Sequence, residues 1–162
     1  MNFNKQDLIN DNFEGFVSIK DLWTDKSMIP KQMGVYMVLN IEPSVEFINP
    51  GVGGFFKGKD PNVDIPQLKD KYVDASVVYI GKAGGKSSGA TLFSRISQYL
   101  SFGQTKNIGH YGGRYIWQIK NHKELVVCWK TLNNEEPRVV EKELLKFFKE
   151  EYNKLPFANL VL

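Results

Sequence analysis

The chain has one cysteine, Cys128, and two histidines, His110 and His122, among its 162 residues. A lone thiol excludes an internal disulfide and fits a reducing compartment, so the expected location is the cytoplasm. It also excludes paired-cysteine zinc sites, and the two histidines lack the helical spacing of a zinc-binding pair. Cys128 lies in an apolar run, where a buried structural thiol is expected rather than a nucleophile. No apolar stretch approaches the length of a membrane span, so no membrane partner is expected. The start, Met1 to Gln6, lacks the apolar core of a secretion signal. Repeats and low-complexity tracts are missing. Charge of one sign is scarce too: 21 basic against 18 acidic residues leave +3, a weak pull toward a polyanion.

What is present is the composition of an ordinary folded domain, 42% hydrophobic and 13% aromatic, in a length suited to one core. Residues 1–32 read as an N-terminal lead-in, within which Ser18 and Asp21 have the spacing of a capping box and open a short helix through Leu22 and Trp23. Met33–Asn40 and Ser76–Lys82 are predicted strands. Between them, residues 41–75 form an insertion broken by turn signals at Asn49-Pro50-Gly51, Gly53-Gly54 and Lys59-Asp60-Pro61, with a short helix starting near Asp64. Gly84–Ala90 is a glycine-serine loop. Leu92, Phe93, Ile96, Tyr99 and Leu100 make one apolar stripe, which predicts a helix over Thr91–Phe102 ended by Gly103. Glu124–Leu132 is a third predicted strand, and Pro137–Tyr152 a final helix. This order implies an α+β domain with helices packed on a small antiparallel sheet.

On the last helix, Val140, Leu144, Leu145, Phe147, Phe148 and Tyr152 share an apolar arc, with Lys142, Lys146 and Lys149 opposite. Glu141 falls inside that arc. A carboxylate there is costly unless paired or bound to a metal, so either an ion pair with Arg95 or Arg138 or a metal site accounts for it. Arg95 flanks its helix stripe one turn before Tyr99, so the two side chains can adjoin. It serves either as a solvated helix arginine or as a bidentate phosphate clamp. Tyr36 and Tyr79 suit the sheet interior equally well. To act as bases they need a nearby cation to lower a pKa of about 10. Lys82, further along the strand and expected on the same face as Tyr79, is the candidate. Gly81 to Ser87 approximates a phosphate-binding loop, but that spacing needs glycine where Ile80 stands.

Taken in order, Gly34-Val35-Tyr36, Val78-Tyr79-Ile80-Gly81-Lys82-Ala83, Arg95 with Tyr99, Glu141 with Leu144-Leu145, and the closing Pro156 and Asn159 resemble the GIY-YIG nuclease superfamily from Pro30 to Asn159. The whole chain is similar to stand-alone bacterial members, without a recognisable second domain for sequence specificity. The resemblance implies a three-stranded antiparallel sheet and a metal-dependent endonuclease that hydrolyses DNA phosphodiesters. It also implies one Mg²⁺ or Mn²⁺ held by Glu141, Arg95 clamping the phosphate, and Tyr36 or Tyr79 as general base. Lys82, Tyr99 and His110 are supporting candidates, although His110 lies outside the family's core motifs and suits a structural loop equally. Branched or single-stranded DNA, and RNA, fit the same chemistry. The alternative is a module of this fold that binds nucleic acid or protein without cutting. Two departures stand out: Tyr36 and Tyr79 usually lie on strands joined by a short turn rather than by a long insertion, and the loop after Lys82 is long and rich in Gly and Ser.

Overall fold

The computed structural model describes residues 2–42, 44–108 and 110–162. Helix α1 (Lys5–Asn10) leads into strand β1 (Glu14–Ser18), helix α2 (Ile19–Thr24) and strand β2 (Gly34–Leu39). After the insertion with α3 (Ile65–Lys71) come β3 (Val77–Ala83), α4 (Leu92–Phe102), β4 (Val126–Thr131) and α5 (Pro137–Tyr152). The expected α+β architecture is present, but the sheet is four-stranded, in the order β1-β4-β2-β3, with every neighbouring pair antiparallel. The additional strand lies inside the segment read as a lead-in. It is five residues long and bulges between Gly15 and Val17, with Gly15 and Phe16 at positive φ. A Cβ on Gly15 would stand 2.7 Å from the Trp129 ring. This edge strand therefore depends on a partner far away in sequence rather than on its own alternation.

Strand β2 is central and all six of its residues are buried. Tyr36 and Val38 face one layer of the core with Ile96, Tyr99 and Leu100 of α4, Trp117, and Leu68 of the insertion. Val35, Met37 and Leu39 face the other with Val140, Leu144, Leu145 and Phe148 of α5, and Phe3 and Leu8 near α1. The expected arc of α5 holds except at Phe147, which is exposed. Ser18 caps α2, its hydroxyl accepting from the Asp21 N–H at 3.1 Å. Cys128 is buried, and burial pushes its thiol up to about 12. No helix among the described residues is long and apolar enough to cross a membrane.

The insertion is pinned rather than loose. Gln118, buried in the following segment, accepts from the Val63 N–H (2.9 Å) and donates to the carbonyls of Ile48 (3.0 Å) and Val63 (2.9 Å). Phe47, Tyr72 and Phe157 close an aromatic triangle, their centroids 5.3–5.8 Å apart. Beyond it the chain's tail covers β3, which would otherwise leave its outer edge open. The Ala158 N–H donates to the Val78 carbonyl at 2.8 Å. The Asn159 amide then pairs with both the N–H and the C=O of Ile80, at 2.9 Å each. Lys71 holds the tail from behind, donating to the carbonyls of Pro156, Phe157 and Asn159 at 3.1, 3.1 and 2.9 Å.

Candidate active site

Glycines position the tyrosines. Tyr36 and Gly81 are direct partners across β2 and β3. A Cβ on Gly81 would lie 2.4 Å from the Tyr36 ring, so only glycine lets that ring cross the neighbouring strand. A Cβ on Gly34 would meet the Lys130 carbonyl at 2.1 Å, so glycine there lets β4 approach. In β3 a bulge follows: Val38 pairs with Tyr79 but Leu39 with Val77, leaving Val78 as the extra residue. Tyr79 itself stays in register, two residues from Gly81, so strand alternation sets it on the same face as Tyr36, their centroids 6.1 Å apart.

A cavity of about 350 Å³ lies beside β3, lined by Tyr36, Tyr79, Lys82, Arg95 and Glu141 together with Gly84, Ser88, Ala90 and Gln98. Five of the seven candidate residues thus meet from four separate elements. Lys82 does not share a face with Tyr79, contrary to expectation. It pairs with Val35, on the α5 side of the sheet, whereas Tyr79 pairs with Val38 on the α4 side. They meet because β3 is the edge strand, and side chains from both faces reach around its rim.

Tyr99 and His110 stand behind this wall rather than in it. The Tyr99 hydroxyl donates to the Gly113 carbonyl at 2.5 Å, and its ring stacks on His110 at 4.3 Å. His110 Nε2 lies 3.4 Å from the Tyr36 hydroxyl, and its Nδ1 has no partner among the described residues. Burial first, and Arg95 second, lower this imidazole to about 3, so it is neutral at pH 7. Burial also dominates the phenols. Tyr36 and Tyr99 are raised well above the usual range, and Tyr79 is pushed up to about 12, with Glu141 raising it further and Arg95 opposing. The cation that acts on Tyr36 and Tyr79 is Arg95 rather than the expected Lys82, and it does not outweigh their burial.

Glu141 is raised above the ordinary carboxylate value by burial, against the pull of Lys82, Arg138 and Arg95. The structural ion pair with Arg95 or Arg138 is not formed: among the described residues no cation lies within 4.0 Å of its carboxylate. Arg95 donates instead to Gln98 Oε1 at 2.8 Å. Gln98 and Ser88 were not singled out from the sequence; the signal for Gln98 was its position one turn after Arg95. The loop over 84–90 is fastened by Glu136 at the start of α5, whose carboxylate accepts from the Lys86 N–H at 3.2 and 3.3 Å. No described residue of the 41–75 insertion lines the cavity.

Glu141 is the one carboxylate among the described residues lining the cavity. A single partly buried carboxylate, free of ion pairs and open to water, fits a hard dication that retains most of its hydration shell. No group of three or more His, Cys, Asp or Glu is gathered for a fully protein-ligated ion among the described residues. Comparison with family models, with curated proteins and with solved structures finds no match.

Proposed function

We propose that this chain is a metal-dependent endonuclease of the GIY-YIG type, hydrolysing phosphodiester bonds in DNA. The observation that carries the reading is the meeting of Tyr36, Tyr79, Lys82, Arg95 and Glu141 in one cavity, with the Glu141 carboxylate unpaired. Glu141 would hold Mg²⁺ or Mn²⁺, which supplies charge neutralisation for the phosphate and the departing oxygen. Arg95, steadied by Gln98, presents its remaining N–H groups to the non-bridging oxygens, whose charge grows in the pentacoordinate state. Tyr79 is the better placed of the two candidate bases. It is partly exposed at the cavity, whereas Tyr36 is only 1% exposed and sits against His110. Burial first, and the Glu141 charge second, raise the Tyr79 phenol, and Arg95 lowers it. Offsetting the Glu141 charge therefore moves Tyr79 toward the range in which it can take a proton from water. Tyr36 and Tyr99 hold it in place through ring contacts at 6.1 and 5.2 Å.

The test is nicking of supercoiled plasmid and of single-stranded DNA with Mg²⁺ or Mn²⁺ against a chelator. Glu141→Gln is expected to abolish cutting, and Arg95→Ala to slow it by about a hundredfold or more, as removal of one transition-state donor does. Wild-type rates in either variant would overturn the assignment. A parent protein that cuts neither DNA, branched substrates included, nor RNA would leave a non-catalytic binding module.

A further inference from the structure

The tip of the insertion folds onto the segment that follows α4. The Lys57 N–H donates to Asn107 Oδ1 at 3.3 Å, and the Tyr111 hydroxyl donates to the Asp60 carbonyl at 2.9 Å. This docking collects cations on aromatic rings. The Arg114 guanidinium lies 4.0 Å and the Lys59 ammonium 5.8 Å from the Tyr111 centroid, and Lys57 stands 5.3 Å from that of Phe56. Among the described residues none of these three cations has a carboxylate within 4.0 Å. The nearby Asp60 carboxylate is engaged by both nitrogens of Asn62, at 2.9 and 2.8 Å. Next to them Phe55 is 53% exposed.

The position of this surface gives it meaning. Between Tyr111 and Arg114, Gly112 and Gly113 line a cleft of about 240 Å³ together with Tyr79 and Glu141. The basic, aromatic face therefore begins where the wall of the candidate active site ends. Scattered lysines would only keep a surface solvated. Unpaired cations held on ring faces beside an exposed phenyl match a strand that offers both phosphates and free base faces. In a duplex the base faces are stacked on one another and cannot lie on Phe55.

We propose that the insertion binds single-stranded DNA, with Phe55 stacking a base and Lys57, Lys59 and Arg114 contacting phosphates. It would thereby select substrates with an unpaired stretch beside the bond to be cut. The inference rests on reading the cavity as a phosphodiester-cutting site.

It is tested by fluorescence anisotropy of the full chain in EDTA, with a labelled single strand and the matching duplex. The single strand is expected to bind about tenfold or more tightly than the duplex at equal salt. Phe55→Ala should weaken single-strand binding by roughly tenfold and leave duplex binding unchanged. Lys57→Glu combined with Lys59→Glu should weaken it further and make its salt dependence shallower, by about two phosphate contacts. These side chains are at the surface, so an unchanged Tm confirms that the variants are folded. Equal affinity for both DNAs, or variants that bind like the parent, would overturn the proposal. If the parent cuts DNA while the variants bind unchanged, this surface is wrong and the nuclease stands. If the variants lose binding while no protein cuts, the binding surface stands and the nuclease falls.

Discussion

Glu141 carries the cost of burial without an ion pair to offset it, and that cost is measurable. Its folded pKa is raised above the ordinary carboxylate value, with burial as the main cause. For a carboxyl shifted in this direction, the native state favours the proton. The stabilising contribution is present at low pH and is lost as pH rises through the folded pKa. At pH 7 the charged glutamate therefore destabilises the fold, and Glu141→Gln removes that burden. The Tm of the variant at pH 7 is expected to lie above that of the parent, with the difference shrinking as pH falls through the folded pKa of Glu141. A lower Tm would mean that the carboxylate is in fact favourably paired. Loss of activity together with a gain in stability is the mark of a functional group held at structural expense.

Among the elements, β3 has the most demanding position, being both an edge strand and the strand that presents Tyr79 and Gly81. The tail completes it, since Asn159 takes the place of a neighbouring strand at Ile80, directly between those two residues. Asn159→Ala would leave the Ile80 N–H and C=O without partners and is expected to cost about 2 kcal/mol or more. Urea unfolding measures that loss. Hydrogen exchange at the Ile80 amide should accelerate beyond what the global change explains. The helices follow simpler rules. Thr91 and Ser94 satisfy each other's backbone N–H groups at 2.9 and 3.1 Å at the start of α4, which sets the register that brings Arg95 to the cavity.

For the whole molecule, acid stability is tied to His110. The unfolded chain takes up a proton near the ordinary value of 6.5, while the native protein resists protonation down to about 3. Between those values the unfolded state binds more protons, so stability falls as pH drops, with a slope from this group of about 1.4 kcal/mol per pH unit. The groups facing the ring are Tyr36, Tyr99 and Arg95. His110→Phe keeps the stack on Tyr99 and removes the titration. Urea unfolding at pH 7, 6 and 5 should therefore show the variant losing less stability on acidification than the parent. Equal slopes would mean that the imidazole reaches water in the native state.

Much of this organisation was legible in the chain, because alternation, helical period and turn chemistry are local properties. They placed the strands around Tyr36, Tyr79 and Cys128, the helices around Arg95 and Glu141, and the irregular course of the insertion. Strand β1 was not legible. Glu14–Ser18 has no pattern of its own and exists only where Gly15 fits under Trp129. Gln98 and Ser88 gave no strong signal, since a polar residue near a cavity looks in sequence like any other surface residue. The pairing of faces was misjudged for Lys82, and the reason is physical. Strand periodicity assigns a side chain to one face or the other, but only the sheet order makes β3 an edge, and only an edge lets residues from opposite faces meet. Residue types and their spacing along the chain were determined by the sequence alone. Their convergence on one cavity was decided by long-range strand pairing and by the close approach that Gly81 permits, neither of which is written in any local stretch.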